Sequence, residues 1–500
     1  MQEIFQNSSC DIVLERKCAH MIGRVEEKKQ LQSLLKEEES QFVAVFGRRR
    51  IGKTYLIRES FDYKFTFQHT GLSNNSLKKR ERKHAQFDKF AESLKEAGYV
   101  LDKPLSSWTE AFNCLKEVIK QSKETKKVIF IDELSWMDPK NNNGLISALE
   151  SFWNGWVTSR REKDVILIVC ASATYWMTNY IVNSKGGLHN RLTGKIYLKP
   201  FTLGECQEYL ASKHINFNLH QILQCYMILG GVPYYWSLLK KGKSLPQNID
   251  DLFFKEGAPL EDEYDNLYQA LFELPAQHIK IIEALTSVNK GITREEICQK
   301  TGIDSSGNLT RKLDELEKCG FIRKYIPFGY KSKKATYQLI DNYTLFYHKF
   351  IKNRVYDNKY WQNISNSAEV NAWSGIVFER VCLEHVDQIK SALGISGVQT
   401  AVNSWKCDAD PDKGILGSQI DLLLVRKDQV INVCEMKYSE TEFTPDKAFD
   451  KAMRRKMSDL QNVTGTKYAL HSTLITTYGI EETSYAGNIQ SVITAEDLFR

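Results

Sequence analysis

The stretch 41-QFVAVFGRRRIGKTYLIRES-60 contains the motif that decides the fold. An apolar, strand-like run is followed by the pattern G-x-x-x-x-G-K-T and then by a helix-like continuation. Glycines in this pattern let consecutive backbone N–H groups turn around phosphate oxygens, and the helix start adds partial positive charge. We therefore predict a phosphate-binding loop (P-loop) that takes ATP; a chance glycine-rich loop is the alternative. Its predicted nucleotide-binding residues are Gly47, Arg48, Arg49, Arg50, Ile51, Gly52, Lys53 and Thr54.

Two further apolar runs extend this prediction. Lys127 to Asp132 reads as a buried strand, and Asp132 and Glu133 stand at its end. In P-loop proteins Lys53 would reach the β and γ phosphates, Thr54 and Asp132 would support Mg²⁺, and Glu133 would orient the attacking water. An acidic pair can also simply cap the next helix. The run Val165 to Val169 predicts another strand, and alternation with helical segments favours a parallel sheet covered by helices.

Several motifs together resemble one known family. They are IGRVE at 22–26, GRRRIGKT at 47–54, FIDELSWM at 130–137, CASATYWM at 170–177, GGLHNRLTGKIYLKPF at 186–201 and GGVPYYW at 230–236. The chain is similar to the archaeal-type ATPases, a branch of the STAND and AAA-like P-loop NTPases, over its whole length. The arginine-rich P-loop is the most specific part of this resemblance.

The resemblance implies roles for residues outside the P-loop. Ser172 would be a sensor near the γ-phosphate, although Ala171 stands where many relatives carry glycine. Arg191 would sense or contact phosphate, whereas without the resemblance it reads as a solvated surface cation. The segment Gly231-Val232-Pro233 would lie in a helical lid near the nucleotide. The residues implied near the base are Gly23, Arg24 and Glu26.

The region 276–345 reads as a winged helix. Thr293 and Glu296 form a capping-box pattern, and the segment after Ile322 fits a two-stranded wing. Such a module either contacts DNA or serves as a rigid connector in a multidomain NTPase, and a charge cluster of this size is usually a solvated face. The candidate phosphate contacts are Arg311, Lys312, Lys331, Lys333 and Lys334.

The segment 418-SQIDLLLVRKDQVINVCEMK-437 predicts a β-hairpin. A turn centred near Asp428 places Asp421 opposite Glu435, with Lys437 on the same face. Two opposed carboxylates favour a bound cation, and Mg²⁺ prefers such oxygen ligands. The spacing Asp-x(13)-Glu-x-Lys resembles the PD-(D/E)XK nuclease fold, and the resemblance assigns Glu379 as a further acidic residue. Ile420 replaces the usual proline, and the superfamily also includes members without cleavage activity.

Composition sets the outer limits of these predictions. The 500 residues include 42% hydrophobic and 26% charged residues, with a formal charge of +6 and eleven cysteines in no metal-binding pattern. No apolar run approaches the roughly 20 residues needed to span a bilayer, and the first residues carry charges where a signal peptide is apolar, so we expect a cytoplasmic protein. The expected domains are 1–200 (ATPase core), 201–275 (helical lid), 276–345 (winged helix) and 346–500 (restriction-endonuclease-like α/β domain).

Two functions fit this multidomain α/β architecture. The leading hypothesis is a Mg²⁺-dependent ATPase whose nucleotide state controls a C-terminal nuclease-like domain acting on DNA. The alternative is a STAND-type regulatory switch that works through protein partners or homo-oligomers, with a C-terminal domain that does not cleave. A weaker third hypothesis is a DNA-binding regulator that acts mainly through the winged helix.

Overall fold

The computed structural model describes residues 21–73, 79–184, 186–272, 274–288, 290–330, 334–354, 356–410 and 415–500. The N-terminal segment used in the localisation argument lies outside these ranges. So do Lys331 and Lys333 of the expected wing. None of the helices in the described ranges is long and apolar enough to cross a membrane.

A five-stranded, all-parallel sheet forms the centre of the N-terminal half, as the sequence predicts. Its strand order is β2-β3-β4-β1-β5. Along β1, Phe42 and Ala44 pack into one hydrophobic cluster while Val43 and Val45 pack into another, so the sheet is covered on both faces. The strands are β1 Gln41–Phe46, β2 Phe67–Thr70, β3 Lys127–Asp132, β4 Val165–Ala171 and β5 Gly194–Tyr197.

Among the described residues, seven α-helices flank this sheet, together with short 3₁₀ and π-helical segments. The amphipathic helix α4 buries Trp108, Phe112 and Leu115 on a single face and is capped by Ser107, whose side chain accepts a hydrogen bond from the Glu110 backbone. The helices are α1 Val25–Ser33, α2 Lys53–Ser60, α3 Lys79–Glu96, α4 Trp108–Gln121, α5 Leu134–Met137, α6 Leu145–Glu150 and α7 Thr174–Met177.

Within the part of the chain that the structure describes, five α-helices and one π-helical segment follow β5 and form the region predicted as a lid. A close approach at Gly231 fixes its position against the core: the Phe201 N–H donates to the Gly231 carbonyl (2.6 Å), and a Cβ on Gly231 would lie 1.9 Å from the Phe201 oxygen. Only glycine fits there without displacing backbone. The helices are α8 Leu203–Ser212, α9 Leu219–Leu229, α10 Pro233–Ser237, α11 Leu245–Ile249 and α12 Glu263–Leu271.

The middle region combines three helices with a small antiparallel sheet of order β6-β8-β7. Thr293 and Glu296 form the expected capping box at the second helix. The elements are α13 Pro275–Thr286, β6 Ile292–Thr293, α14 Arg294–Thr301, α15 Gly307–Lys318, β7 Ile322–Tyr325 and β8 Thr336–Leu339.

Helix α15, which would read DNA in a free helix-turn-helix module, instead packs on α7 of the core. Lys312 is only 1% exposed, and Lys318 donates to Asn179 of the core (3.2 Å). The expectation that Lys312 contacts a DNA backbone is therefore wrong for this arrangement, because α15 is occupied by the core. The connector alternative agrees with this packing.

The C-terminal region contains a mixed sheet of order β13-β12-β11-β10-β9, in which β9, β10 and β11 are antiparallel and β11, β12 and β13 parallel. The strands are β9 Thr400–Asp410, β10 Ile415–Arg426, β11 Val430–Lys437, β12 Ala469–Thr476 and β13 Ser491–Thr494. The helices are α16 Asn342–Phe346, α17 Tyr360–Ile364, α18 Ala368–Glu384, α19 Val386–Ala392 and α20 Lys447–Thr464.

A single hydrophobic cluster runs from the lid through the middle region to one face of the C-terminal sheet. It includes Leu229 of the lid, Leu316 of the middle region and Leu422 of β10. The opposite face of the sheet packs on α20, and Phe328, from the turn after β7, joins that second cluster. The expected divisions near residues 275 and 345 therefore do not separate independent hydrophobic cores.

Candidate functional site

The P-loop begins at the carboxyl end of β1 and ends at the first turn of α2. Gly52 is the N-terminal cap of α2 with φ 87°, in the left-handed region that favours glycine. A Cβ on Gly47 would lie 2.3 Å from the Leu198 carbonyl oxygen, so the loop also needs its first glycine. Both glycines of the predicted motif thus have a structural reason.

The Lys53 ammonium group occupies the centre of this loop. Its Nζ donates to the carbonyls of Gly47 (3.0 Å) and Arg48 (2.8 Å) and to Ser172 Oγ (3.0 Å). Lys53 is 5% exposed, so its charge is held inside the loop by three acceptors. The structure therefore brings the predicted phosphate-binding lysine together with the predicted sensor serine.

Thr54 and Asp132 meet beside the loop. Thr54 Oγ1 donates to Asp132 Oδ2 at 2.6 Å, and Asp132 is buried at the end of β3. A hydroxyl and a carboxylate are oxygen ligands of the kind that Mg²⁺ takes, with water and phosphate oxygens completing its shell. Within the described ranges, no three His, Cys, Asp or Glu side chains form a metal-binding group. The Thr54–Asp132 pair fits a phosphate-bound Mg²⁺ and not an all-protein metal cage.

Glu133 lies next to Asp132 in a left-handed backbone conformation (φ 48°). Its carboxylate accepts hydrogen bonds from Ser172 Oγ (2.7 Å) and from the Ser172 N–H (3.2 Å). Burial raises the pKa of Glu133, and the Lys53 ammonium group opposes that rise. The predicted water-orienting carboxylate, sensor serine and P-loop lysine therefore form one hydrogen-bonded group.

The arginine side chains of the P-loop point away from this group. Arg48 forms a buried ion pair with Asp341, the residue that caps α16, and Arg50 pairs with Glu263 of the lid (2.5 Å). Arg49 lies over the Trp136 ring, 5.7 Å from its centre. Burial alone would lower the pKa of Arg48, but Asp341 more than reverses this and raises it.

The lid residue Pro233 lies near the P-loop. Gly23 and Arg24, which the resemblance places near the adenine base of ATP, lie at the junction of core and lid. The Tyr234 N–H, one residue after Pro233, donates to the Arg50 carbonyl (3.4 Å). Arg24 donates to the Lys199 carbonyl (2.6 Å), and a Cβ on Gly23 would meet Glu205 of α8. Glu26 is exposed on α1. The lid contact with the P-loop supports the predicted position of the GVP segment.

Arg191 lies at the wrong edge of the sheet for its expected role. It is exposed, and the strand that follows begins with Gly194 opposite Val43, while Thr193 donates to the Phe42 carbonyl. These pairings place Arg191 beside the amino end of β1, whereas the P-loop leaves the carboxyl end. The expectation that Arg191 contacts phosphate in its own chain is therefore wrong.

The C-terminal hairpin has the predicted register. Leu422 pairs with Cys434 and Val425 with Ile431, so the same register places Asp421 opposite Glu435. The β9–β10 pairing is irregular between Ile420 and Leu423, a bulge of the kind that re-aims side chains. Asp421 thus stands at an irregular point of an otherwise continuous strand.

Glu379 of α18 joins these carboxylates. Burial, the Asp421 carboxylate and Glu435 raise the pKa of Glu379, Arg380 and Lys437 oppose the rise, and the net value is about 7. Three carboxylates from three separate elements therefore influence one another, as the nuclease resemblance implies.

Lysines hold the Glu435 carboxylate on both sides. Lys456 of α20 donates to Oε2 (2.7 Å) and Lys437 pairs with Oε1 (3.0 Å). Lys456 is one of several basic residues of α20, and nothing in the sequence marks it as the one that turns inward toward Glu435. Arg380 also forms an ion pair with Glu379 (3.2 Å). The two residues are neighbours in sequence, but no motif predicted that their side chains pair.

Comparisons with known proteins agree with the core site. Residues 21–239 match the family model of an ATPase domain predominantly from Archaea, so the chain contains an ATPase domain of archaeal type. An uncharacterized protein of Methanocaldococcus jannaschii is 27% identical over 379 residues, which cover 74% of this chain and 77% of the relative.

Two solved structures are also similar. The Walker-type ATPase of Pyrococcus abyssi has a TM-score of 0.45 and 14% identity, covering 65% of this chain and 95% of its own. The ORC2 protein of Aeropyrum pernix, in its ADPNP–ADP complexes, has a TM-score of 0.40 and 11% identity, covering 74% of this chain and 98% of its own.

Proposed function

We propose that this protein is a Mg²⁺-dependent ATPase whose nucleotide state controls a DNA-acting, nuclease-like C-terminal domain. The observation that carries the ATPase part is the hydrogen-bonded group of Lys53, Ser172 and Glu133 beside the Thr54–Asp132 pair. It brings a phosphate-binding cation, a water-orienting carboxylate and magnesium-supporting oxygens to one edge of a parallel sheet, where ligands of such sheets bind.

Hydrolysis at this site uses residues that are already close together. Lys53 exchanges its carbonyl acceptors for phosphate oxygens when ATP enters the loop, and Glu133 exchanges Ser172 for the attacking water. The water gives a proton to the Glu133 carboxylate as it attacks the γ-phosphorus, the bond to the β–γ bridging oxygen breaks, and ADP and phosphate form. Mg²⁺, when bound, neutralises charge on the phosphates. Until nucleotide binds, the hydrogen bonds from Ser172 keep the Glu133 carboxylate from contacting the attacking water.

The Arg48–Asp341 pair supports control of the C-terminal domain by nucleotide. Arg48 lies inside the P-loop sequence, and Asp341 caps α16, the helix that follows the middle region. Glu384, the last residue of α18, lies within electrostatic reach of both: Asp341 raises the pKa of Glu384 and Arg48 lowers it. Glu379 is on the same helix, about 7.5 Å along its axis at 1.5 Å per residue.

Within this proposal, the middle region is a winged helix used as a connector. Its third helix is docked on α7, and its wing places Phe328 in the core of the C-terminal domain. A movement of the lid that follows ATP binding would therefore reach the carboxylate site through packed elements. Arg191, exposed at the far edge of the sheet, would act only from a neighbouring copy in an oligomer.

The test combines two activities in one series of variants. ATP hydrolysis is measured together with Mg²⁺- or Mn²⁺-dependent cleavage of plasmid and linear DNA, with and without ATP. Wild type is compared with Lys53→Ala and Asp421→Ala, and the exposed Lys64→Ala is the control. We expect Lys53→Ala to lose hydrolysis and Asp421→Ala to lose only cleavage. If wild type does not hydrolyse ATP, the ATPase part of the proposal is refuted. If wild type cleaves no DNA under any of these conditions, the nuclease part is refuted.

A second candidate function rests on the lysines around Glu435. Two lysine ammonium groups already neutralise this carboxylate. This arrangement favours a C-terminal domain that binds without cutting, in a switch that works through protein partners. Alanine at Asp421 would then leave the switch intact, while alanine at Lys53 would abolish it.

A further inference from the structure

A cavity separates the middle region from the C-terminal domain. Its volume is about 410 Å³, and Asp421 lies in its wall. The middle region contributes Lys290 and Tyr325, and the C-terminal domain contributes Lys406 and Trp405. The volume falls within the range of small-molecule sites, about 300–1,000 Å³, and is far too small for a duplex. The predicted carboxylate site therefore opens onto a space that two regions build together.

Arg323 lies on the wing strand β7, two residues before Tyr325 of the cavity wall. Its Nε donates to Gln338 on β8 (2.7 Å), and its guanidinium group lies 4.7 Å from the centre of the Tyr325 ring. Nη2 is buried without a hydrogen-bond partner in the described part of the chain. A charged donor left unpaired in the interior costs free energy unless a ligand can reach it.

The electrostatic surroundings of Arg323 show which groups it faces. Burial lowers the pKa of Arg323 to about 10; the nearby Arg380 adds to this, whereas Tyr325, Asp421 and Glu379 raise it. Arg323 is therefore within electrostatic reach of one further cation, Arg380, and of two carboxylates, Asp421 and Glu379. Arg380 is paired with Glu379, whereas Nη2 of Arg323 has no hydrogen-bond partner among the described residues, and phosphate is an anion that the guanidinium fork binds well.

Charge across the cavity follows the same pattern. Lys290 and Lys406 add two cations to its walls, and Glu296 is close enough to Lys406 for the lysine to contribute to the lowered pKa of Glu296. Apart from Glu296, the carboxylate in the wall is Asp421 itself. The cavity wall thus carries lysines that can bind the phosphate groups of a nucleic-acid backbone. It also carries Asp421, the carboxylate of the predicted catalytic site.

We propose that Arg323 is a phosphate-binding residue of the C-terminal site, and that one strand of DNA enters the cavity between the wing and the β9–β10 bulge. This inference rests on the proposed function and deepens it, because it makes the site a composite of two regions. It also gives the docked middle region a direct part in substrate binding, since β7 supplies a side chain that the C-terminal domain lacks.

The test measures binding apart from cleavage. A fluorescently labelled single-stranded 20-mer is titrated with the full chain in EDTA, by anisotropy, at several salt concentrations. Arg323→Gln is compared with Lys324→Gln, the matched control: Lys324 is the next residue on β7, is exposed and points to the opposite face of the strand. Lys406→Gln removes a cation from the other wall of the cavity.

We expect Arg323→Gln to weaken binding about tenfold and to reduce the slope of log K against log salt by roughly 0.7. Lys406→Gln should weaken binding about threefold, and Lys324→Gln should bind within about twofold of wild type. Equal binding by wild type and Arg323→Gln would overturn the inference while leaving cleavage and the proposed function intact. If Arg323→Gln does not fold, as judged by lost ATP hydrolysis, wild-type affinity in Lys406→Gln overturns it instead.

Wild type that binds neither single-stranded nor duplex DNA would refute both the inference and the DNA part of the proposed function. ATP hydrolysis would then remain as the supported activity. Duplex binding without single-strand binding would refute the inference alone, because the cavity does not admit a duplex.

Discussion

Arg48 of the P-loop and Asp341 at the start of α16 form a buried ion pair across 293 positions of sequence. The pair joins the nucleotide-binding loop to the chain that leads into the C-terminal domain. Asp341 also accepts from the Thr344 N–H (3.1 Å) and Thr344 Oγ1 (2.5 Å), so its carboxylate is fixed by the helix that it caps. A movement of Arg48 when nucleotide binds to the P-loop would therefore act on a carboxylate that is fixed to α16.

Removing one member of this pair should be costly. Arg48→Met leaves Asp341 as an uncompensated buried charge, and Asp341→Asn does the same to Arg48 while it keeps a cap at α16. We expect each single variant to lose about 3–5 kcal/mol in the free energy of unfolding, measured by urea denaturation. The double variant should lose less than the sum of the two, because neither charge is then left alone.

An exposed pair on α4 provides the matched control. Glu117 and Lys120 lie at 2.8 Å with half-exposed side chains, and the same cycle with Glu117→Gln and Lys120→Met should give no more than about 0.5 kcal/mol. Additive losses at Arg48 and Asp341 would contradict the proposed coupling between the P-loop and α16.

Lys53→Met should abolish ATP hydrolysis. The ammonium group is the loop's central donor, and its removal takes away the charge that would meet the transferred phosphate. We expect kcat to fall by at least about 100-fold, the size typical for losing one preorganised charge stabiliser. Steady-state phosphate release measures this, with the exposed Lys64→Met as control.

Glu133→Gln should separate binding from hydrolysis. Glutamine keeps the size of the side chain and can still accept from Ser172, but it cannot take a proton or orient water as a base. We expect hydrolysis to fall by about 10²–10⁴-fold while ATP affinity, measured by calorimetry, stays within about threefold of wild type. Equal loss of affinity and hydrolysis would show that Glu133 instead maintains the structure of the loop.

Gly231→Ala should disrupt the close backbone contact between Gly231 of the lid and Phe201. A methyl group would lie 1.9 Å from the Phe201 oxygen and 2.8 Å from its nitrogen, and both are backbone atoms that cannot rotate away. We expect a loss of at least about 2 kcal/mol in thermal or urea unfolding. In contrast, a Cβ on Gly375 of α18 meets no atom within 4 Å, so Gly375→Ala should stabilise by up to about 1 kcal/mol. Equal effects would contradict the close approach.

The sequence predicted the parts that depend on local pattern. The P-loop, the ends of β3 and β4 and the Asp421–Glu435 register follow from motif and alternation, which local sequence specifies. The partners of Arg48 and Arg50 were missed because Asp341 and Glu263 are distant in sequence and carry no motif. Arg191 was misplaced because family position does not show which edge of the sheet a turn occupies.

The sequence left open whether the middle region contacts DNA or serves as a connector, and it could not place α15 on the core for a related physical reason. Lys312 carries a charge, and a charged residue normally signals solvent, yet it is buried and borders a cavity that Trp176 of the core also lines. The inward turn of Lys456 and the approach of Arg323 depend likewise on how separate regions pack. Sequence pattern alone carries no information about those distances.

His385 should make stability fall in mild acid. The imidazole is 1% exposed, its Nδ1 lies 2.8 Å from the Val381 carbonyl, and its Nε2 accepts from the Leu203 N–H (2.9 Å), so the ring must be neutral. Burial lowers the pKa of His385 to about 4. The unfolded chain, with an ordinary value near 6.5, binds the proton first, so stability is complete above about pH 6.5 and declines as pH falls toward 4.

The expected contribution of His385 is a loss of about 2 kcal/mol between pH 7.5 and 5, from 1.36 kcal/mol per pH unit. Urea unfolding of wild type and His385→Gln at both pH values isolates it: glutamine can still accept from Leu203 but does not titrate, so its pH dependence should be smaller by this amount. His84→Gln, at an exposed position of α3, should leave the dependence unchanged. An identical dependence in wild type and His385→Gln would mean that the imidazole at the α18–α8 contact is not held neutral by its surroundings.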